Sequence, residues 1–200
     1  MATNDDTWPI LQWMLGRLVC TARKAIRLQN CAAAMRKLTM TDELTGLYNR
    51  RGFLAMARQQ LRLGARNGRS MTLFVVDVDR LKAINDLLGH QAGDEVLKRV
   101  AAVLSSTFRR SDIVARHGGD EFVVLAVDAA HTNERAIAAR FEHGIELHNR
   151  RSGVVRISMS IGAVRFEPRS TQRLEDLFRR ADSRMYSHKA RRGNGVPRAS

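Results

Sequence analysis

Cysteine is nearly absent: Cys20 and Cys31 are the only two in 200 residues. Both fall in a helical pattern, where eleven positions would separate them by about 16 Å, beyond the reach of a disulfide. A disulfide scaffold is therefore excluded, and a cytoplasmic protein with reduced thiols is expected. Three prolines and 14 glycines are too few for a collagen-like or linker-like chain. No run of about 18 uncharged apolar residues occurs, so no membrane-spanning helix is expected. The most apolar early stretch, Pro9 to Cys20, is interrupted by Arg17. It has neither the basic leader nor the small-residue cleavage site of a secretory signal. Lysine is scarce too, five against 29 arginines in a chain of net charge +14. Guanidinium groups bind phosphate oxygens bidentately, so phosphate-bearing partners suit this balance. Aromatic residues make up only 6% and are not interleaved with one basic block. Nucleic-acid binding is permitted by the charge but not indicated by the pattern.

What remains is ordinary globular composition, 44% hydrophobic and 27% charged. The length suits one domain with a short appendage. Residues 9–38 read as one long helix. Leu11, Leu18, Ala25 and Ala32 recur every seven residues, interleaved with Met14, Thr21, Leu28 and Met35. That is a heptad series, weakened in its middle, and it predicts a parallel dimer stalk; packing on the chain's own domain is the alternative. Beyond it helix and strand alternate. Arg50 to Leu63 reads as an amphipathic helix ended by Gly64. Met71 to Asp79 reads as a central strand, Arg80 to Leu88 as a helix capped by Asp79, and Asp94 to Phe108 as a longer helix; a C-cap at Asn85 and an N-cap at Asp94 are the alternatives to the base-binding roles given below. Ile113 to Arg116 and Glu121 to Val127 are predicted to form a hairpin, its paired glycines supplying positive φ. Glu134 to Asn149 is a predicted helix and Val154 to Phe166 a strand with a bulge near Gly162. Leu174 to Lys189 is the last predicted helix. This order indicates an α/β or α+β sandwich with a mostly antiparallel sheet.

Carboxylates concentrate at two places: Asp77-Val78-Asp79 at the end of the central strand, and Gly118-Gly119-Asp120-Glu121 at the hairpin. If these strands are neighbours, Asp77 and Asp120 approach from different segments and share a divalent ion. Few hard oxygen ligands suit Mg²⁺ or Mn²⁺, which retain water and substrate phosphate in the remaining positions. Two such ions stabilise the attacking and leaving oxygens of a displacement at phosphorus. Glycines beside the carboxylates let a phosphate chain approach the backbone. Taken singly, an acidic pair at a strand end also serves as a helix cap with a solvated carboxylate. Asn85, His90 and Asp94 follow closely. An aspartate accepts two hydrogen bonds from guanine that adenine cannot donate, so Asp94 would select guanine, with Asn85 completing the base edge.

Arg116-His117-Gly118-Gly119-Asp120-Glu121-Phe122 resembles the signature of the GGDEF family of diguanylate cyclases. Asp42-Glu43-Leu44-Thr45-Gly46-Leu47-Tyr48-Asn49-Arg50-Arg51 is similar to that family's opening motif. The set Asp77-Val78-Asp79, Lys82, Asn85-Asp86, Gly89-His90 and Gly93-Asp94 is similar to its metal- and base-binding block. Ser160-Ile161-Gly162, Ala181-Asp182, Tyr186 and Lys189 are similar to its closing motifs. The resemblance covers about Thr41 to Asn194. It implies 41–194 as the cyclase domain, while the heptad series makes 1–40 the expected helical stalk and 195–200 read as a loose tail. It also implies a palm-like fold with a central five-stranded sheet flanked by helices, and condensation of two GTP into cyclic di-GMP with release of two pyrophosphates.

By position the resemblance makes Asp77, Asp120 and the Val78 carbonyl ligands of two Mg²⁺ or Mn²⁺ ions, with Glu121 supporting the second. Asp120 would assist deprotonation of the ribose 3′-hydroxyl, and Lys82 would stabilise phosphate charge. Asn85, His90 and Asp94 would hold guanine, Gly118 and Gly119 would admit the phosphates, and Lys189 and Arg192 would reach the terminal ones. Each domain would bind one GTP, so two must face each other, which the 9–38 helix would favour. Arg109-Arg110-Ser111-Asp112 resembles the family's inhibitory product site, with Arg109 clamping cyclic di-GMP and Asp112 accepting from its base; a plain polar turn is the alternative.

Three features depart from the family pattern. Arg80 and Leu81 stand where aromatics are frequent. The closing Lys189-Ala190-Arg191-Arg192-Gly193-Asn194 transposes a usual Gly-Arg, which makes Arg192 the expected phosphate-reaching arginine. No recognisable sensor precedes the cyclase. The rival readings are a catalytically silent cyclic di-GMP receptor and a basic, stalk-dimerised nucleic-acid binder. The first is opposed by the presence of every metal and guanine position, and the second is supported by charge alone.

Overall fold

A computed structural model describes residues 12–19, 21–24, 40–127, 134–151, 155–168 and 172–193. The chain divides into two units, Met1–Thr39 and Met40–Ser200. In the first, residues 12–19 and 21–24 are helical (α1), inside the span predicted for 9–38. The rest of that helix, both cysteines and the 195–200 tail lie outside the described residues. Trp13, Met14, Leu15, Leu18 and Val19 are exposed on α1. The Arg17 guanidinium sits over the Trp13 ring, 4.8 Å from its centroid, a cation–π pair one helical turn apart. No helix among the described residues is long and apolar enough to cross a membrane.

The second unit is an α+β sandwich. Its elements run α2 (Arg50–Asn67), β1 (Met71–Val78), α3 (Leu81–Leu88), α4 (His90–Thr107), β2 (Ile113–Arg116), β3 (Glu121–Val127), α5 (Glu134–Arg151), β4 (Met159–Phe166) and α6 (Leu174–Gly193). The sheet has order β2-β3-β1-β4 and every pairing is antiparallel. All eight residues of β1 are buried, as the continuous apolar run required of a central strand covered on both faces.

Strand alternation splits the apolar side chains between two cores. Phe74, Val76 and Val78 pack with α4 and α5 residues such as Val100, Leu104 and Phe141. Leu73 and Val75 pack with α2 and α6 through Phe53, Leu61, Leu177 and Met185. Each fully buried side chain of this size contributes about 1.5–3 kcal/mol. Asp77 shares the α2/α6 face by the same period of two, which decides which helices can reach it.

The structure corrects several boundaries. Four strands are described where the resemblance implied five; Tyr48 adds only isolated bridges to Thr41 and Ala115. Pairing of β4 begins at Met159, where β1 ends, rather than at Val154. Ahead of it the Ile157 backbone is satisfied by a side chain instead, Asn149 donating to its carbonyl and accepting from its N–H, each at 2.8 Å. No bulge occurs at Gly162, since the register runs unbroken from Met71↔Phe166 to Val78↔Met159. A Cβ there would overlap the Ala181 carbonyl and the Met185 backbone, so this glycine lets α6 lie against the sheet. α2 passes through Gly64 to Asn67 and ends on Gly68, whose φ of 67° suits glycine at a helix C-cap. Neither hairpin glycine adopts positive φ. Four residues, 117–120, separate β2 from β3, so the constraint on a two-residue turn does not apply.

Candidate active site

Antiparallel pairing brings the two carboxylate clusters together. β1 ends where β3 begins: Asp77 lies opposite Glu121, and the Val78 N–H donates to the Asp120 carbonyl at 3.0 Å. Asp77 and Asp120, 43 residues apart in sequence, therefore meet at one end of the sheet. Opposed residues of an antiparallel pair project to the same face, so Asp77 and Glu121 are like charges side by side. Burial raises the pKa of Asp77, an effect offset by the Lys189 ammonium and reinforced by Asp120 and Asp79. Burial, then Asp120, Asp182 and Asp77, likewise raise Glu121. Such a group is costly unless a cation joins it.

One cation is already there. Lys189 Nζ on α6 donates to Asp77 Oδ1 at 2.6 Å, with the Asp77 side chain 9% exposed and that of Lys189 44%. Asp79 does not cap α3. Its Oδ1 accepts from Ser160 Oγ at 2.8 Å, and its N–H donates to the Ser158 carbonyl at 3.0 Å, so β4 claims it. The N-cap is Arg80, which makes no side-chain cap bond and has a φ of 59°. A left-handed residue other than glycine costs roughly 1–2 kcal/mol. That strain lies one residue from the carboxylates, where functional sites commonly store it.

The remaining candidates divide by position. Lys82 is exposed on the first turn of α3. Asp94 is not a cap, because α4 already begins at His90 after Gly89. Four residues apart on one helix, His90 and Asp94 share a face, and both are exposed. Asn85 faces them from α3: its Oδ1 is buried without a hydrogen-bond partner, packed where a Cβ on Gly93 would be. Gly118 lies against the Glu121 carboxylate, and open space adjoins Gly119. The Arg192 side chain lies outside the described residues.

Arg109 is exposed at the far end of the hairpin. Both Asp112 oxygens accept backbone bonds, Oδ2 from the Arg109 N–H at 2.8 Å and Oδ1 from the Val127 N–H at 3.0 Å. The turn thus uses the carboxylate structurally, and each oxygen retains acceptor capacity.

Sequence reasoning did not assign a site role to Arg116 and Asp42. Arg116 Nη2 and Nε donate to the Gly119 carbonyl at 2.8 and 3.3 Å, and Nη1 reaches both Asp42 oxygens at 3.3 and 3.4 Å. Thr45 donates to Asp42 Oδ1 through its hydroxyl at 2.6 Å and its N–H at 2.9 Å. Burial would raise the Asp42 pKa, but these bonds and the guanidinium hold it below its usual value. Arg116 thereby ties the residue before Asp120 to the 42–48 turn. The local signal was its place at the end of β2; its partner is 74 residues away. On the GTP chemistry that the sequence resemblance implies, replacing Arg116 with alanine is expected to lower kcat about 10–100-fold, with KM changed far less, in steady-state kinetics. Lysine, which lacks the planar fork, should restore only part of it.

The GGDEF domain model, described as diguanylate cyclase, matches residues 39–195. The chain belongs to the GGDEF family. This GGDEF domain is 35% identical over 166 residues to the response regulator PleD of Caulobacter vibrioides, covering 80% of this chain and 36% of PleD. It is 34% identical over 158 residues to the diguanylate cyclase DosC of Escherichia coli, covering 78% of this chain and 34% of DosC. The chain thus spans about a third of the length of these curated relatives. Among solved structures, the coiled coil and GGDEF domain of DgcB from Caulobacter crescentus in complex with c-di-GMP superposes with a TM-score of 0.74. It is 27% identical, with 90% of this chain and 95% of that one covered.

Proposed function

We propose that this GGDEF domain is a diguanylate cyclase condensing two GTP into cyclic di-GMP and two pyrophosphates. The observation that carries this reading is the meeting of Asp77 with Asp120 and Glu121 at one end of adjacent strands. Among the described residues no group of three or more His, Cys, Asp or Glu side chains is arranged to hold a metal by itself. A buried carboxylate beside further carboxylates, with open positions, fits Mg²⁺ or Mn²⁺, whose remaining ligands are water and phosphate. Asp77, Asp120, the Val78 carbonyl and Glu121 would hold two ions. When bound, these ions supply charge stabilisation at the α-phosphorus and acidify the 3′-hydroxyl.

The chain's own residues do the remainder. Asp120 accepts the proton of the ribose 3′-hydroxyl, whose oxygen then bonds to the α-phosphorus of the facing GTP while pyrophosphate leaves. Lys82, Lys189 and Arg192 bind phosphate charge. Asn85, packed against Gly93 of the adjacent helix, and the exposed His90 and Asp94 on that helix support a guanine site, in which the Asp94 carboxylate accepts from the base donors. Open space at Gly119 lets the triphosphate reach the backbone. The dimer is proposed to form through α1, where Met14 and Leu18 of the heptad positions are 54% and 72% exposed. Purified protein with GTP and Mg²⁺ or Mn²⁺ should yield a cyclic dinucleotide and pyrophosphate, resolved by chromatography. Binding of cyclic di-GMP with no turnover at any metal concentration would favour the receptor reading instead.

Arg109 and Asp112 are proposed as the product site. Arg109 is exposed and its neighbour Asp112 is held in place by two backbone donors, so both groups can meet a ligand. In Arg109→Ala the inhibition constant for cyclic di-GMP should rise at least about tenfold, as expected from a charged hydrogen bond contributing roughly 1.5–3 kcal/mol. Progress curves that level off with accumulating product in the wild type should stay linear in the variant. Unaltered curvature would leave the turn as purely structural.

A further inference from the structure

We infer that the Lys189 ammonium and the metal ion compete for Asp77, so that the nucleotide-free site disfavours metal and accepts it together with the triphosphate. This rests on the reading of Asp77 as a metal ligand given above. Asp77 is nearly enclosed, and Lys189 Nζ already occupies its Oδ1 at 2.6 Å, with the lysine on the solvent side. A divalent ion bonds carboxylate oxygen at about 2.0–2.1 Å. It cannot take this oxygen without standing within a few ångströms of the ammonium.

The helix that carries Lys189 is held in place. His188 Nδ1 accepts from the Ile161 N–H at 3.1 Å, and Gly162 lets the α6 backbone close on β4. Relief therefore comes from the flexible lysine side chain swinging away, which its four-carbon stem allows. An ammonium leaving a buried carboxylate needs another anion; Asp120 is itself part of the proposed metal group, and Asp79 already accepts from Ser160 Oγ. An incoming triphosphate supplies the new partner as it brings the metal. Metal and nucleotide are then coupled, and the coupling is reciprocal. Lys189 thus has two opposed effects: it weakens metal binding by the empty site and strengthens phosphate binding by the filled one.

The test is a Mn²⁺ titration of the full chain without nucleotide, with free Mn²⁺ read by electron paramagnetic resonance. Lys189→Met should bind Mn²⁺ at least about tenfold more tightly than wild type, within the range typical of coupling between sites. Lys189→Arg, which keeps the cation, should stay near wild type. A methylene-bridged α,β analogue of GTP should tighten Mn²⁺ binding in wild type and much less in Lys189→Met. Equal Mn²⁺ affinity in wild type and Lys189→Met overturns the competition. Asp77→Asn separates this from the reading beneath it: if Lys189→Met binds tightly and adding Asp77→Asn leaves that binding intact, Asp77 is not the ligand and both fail. A lysine that only bound phosphate would lower turnover and leave the nucleotide-free titration unmoved.

Discussion

Asp120→Ala is expected to abolish release of pyrophosphate and formation of cyclic dinucleotide from GTP, a fall of roughly 10³-fold or more. A single preorganised electrostatic contact removed from a transition state costs about 10²–10³. Asp120 is asked for more, since it is proposed both to hold metal and to accept the 3′-hydroxyl proton. Its backbone gives a reason to expect an intact fold. The Asp120 carbonyl, not its side chain, receives the Val78 N–H that joins β1 to β3, and alanine keeps that bond. Removing the carboxylate also removes one of the like charges that raise Asp77 and Glu121, so the thermal midpoint should hold or rise while activity vanishes. Loss of both together would indicate a structural role. Persistent turnover above a hundredth of wild type would place the chemistry elsewhere.

Deleting residues 1–38 is expected to make activity per molecule fall steeply with dilution, by roughly 100-fold at nanomolar protein. In the proposed reaction two GTP sites face each other so that each 3′-hydroxyl attacks across, and the rate would then depend on how often two domains meet. A tether replaces bulk concentration with an effective concentration near millimolar for short linkers. Free domains at nanomolar concentration lack that advantage. The structural motive is the apolar surface of α1: Trp13, Met14, Leu15, Leu18 and Val19 are all exposed in the single chain. Burying Met14 and Leu18 against a second copy would contribute through the hydrophobic effect, along the seam that the heptad series predicts. The cut precedes Met40, where the second unit begins, so the GGDEF domain should remain folded. Specific activity measured from nanomolar to tens of micromolar decides it. Equal specific activity of the two proteins at the dilute end removes the stalk from the mechanism.

Much of this molecule was legible from its residues. Local physics is short in range, and strands and turns are written in it. β2 and β3 fall at Ile113–Arg116 and Glu121–Val127 as the apolar runs predicted, although the glycines between them do not take the positive φ expected of a two-residue turn. The run Leu73 to Val76 lies in a strand covered on both faces, as so many consecutive apolar side chains require. The carboxylates stand out because acidic groups beside glycines at a strand end serve no core. The misplaced features were caps and ends. Asp79 and Asp94 each looked like a helix cap, yet Ser160 takes the first and α4 starts four residues before the second. A capping side chain competes with every donor the fold brings near, and neighbours in sequence do not reveal those competitors.

The amino-acid order by itself determined the motifs, the two-faced burial of the central strand and the pairing of glycines with acids. Only the tertiary structure decided which distant groups touch. Lys189 reaches Asp77 across 112 residues, and Arg116 reaches Asp42 across 74. Such contacts depend on strand order and on how closely a helix can approach a sheet, here set by the missing side chain at Gly162. Periodicity carries the sidedness of each element, but partner choice among polar groups is settled by packing of the whole chain, where an unpaired charge costs more than local preference can offset.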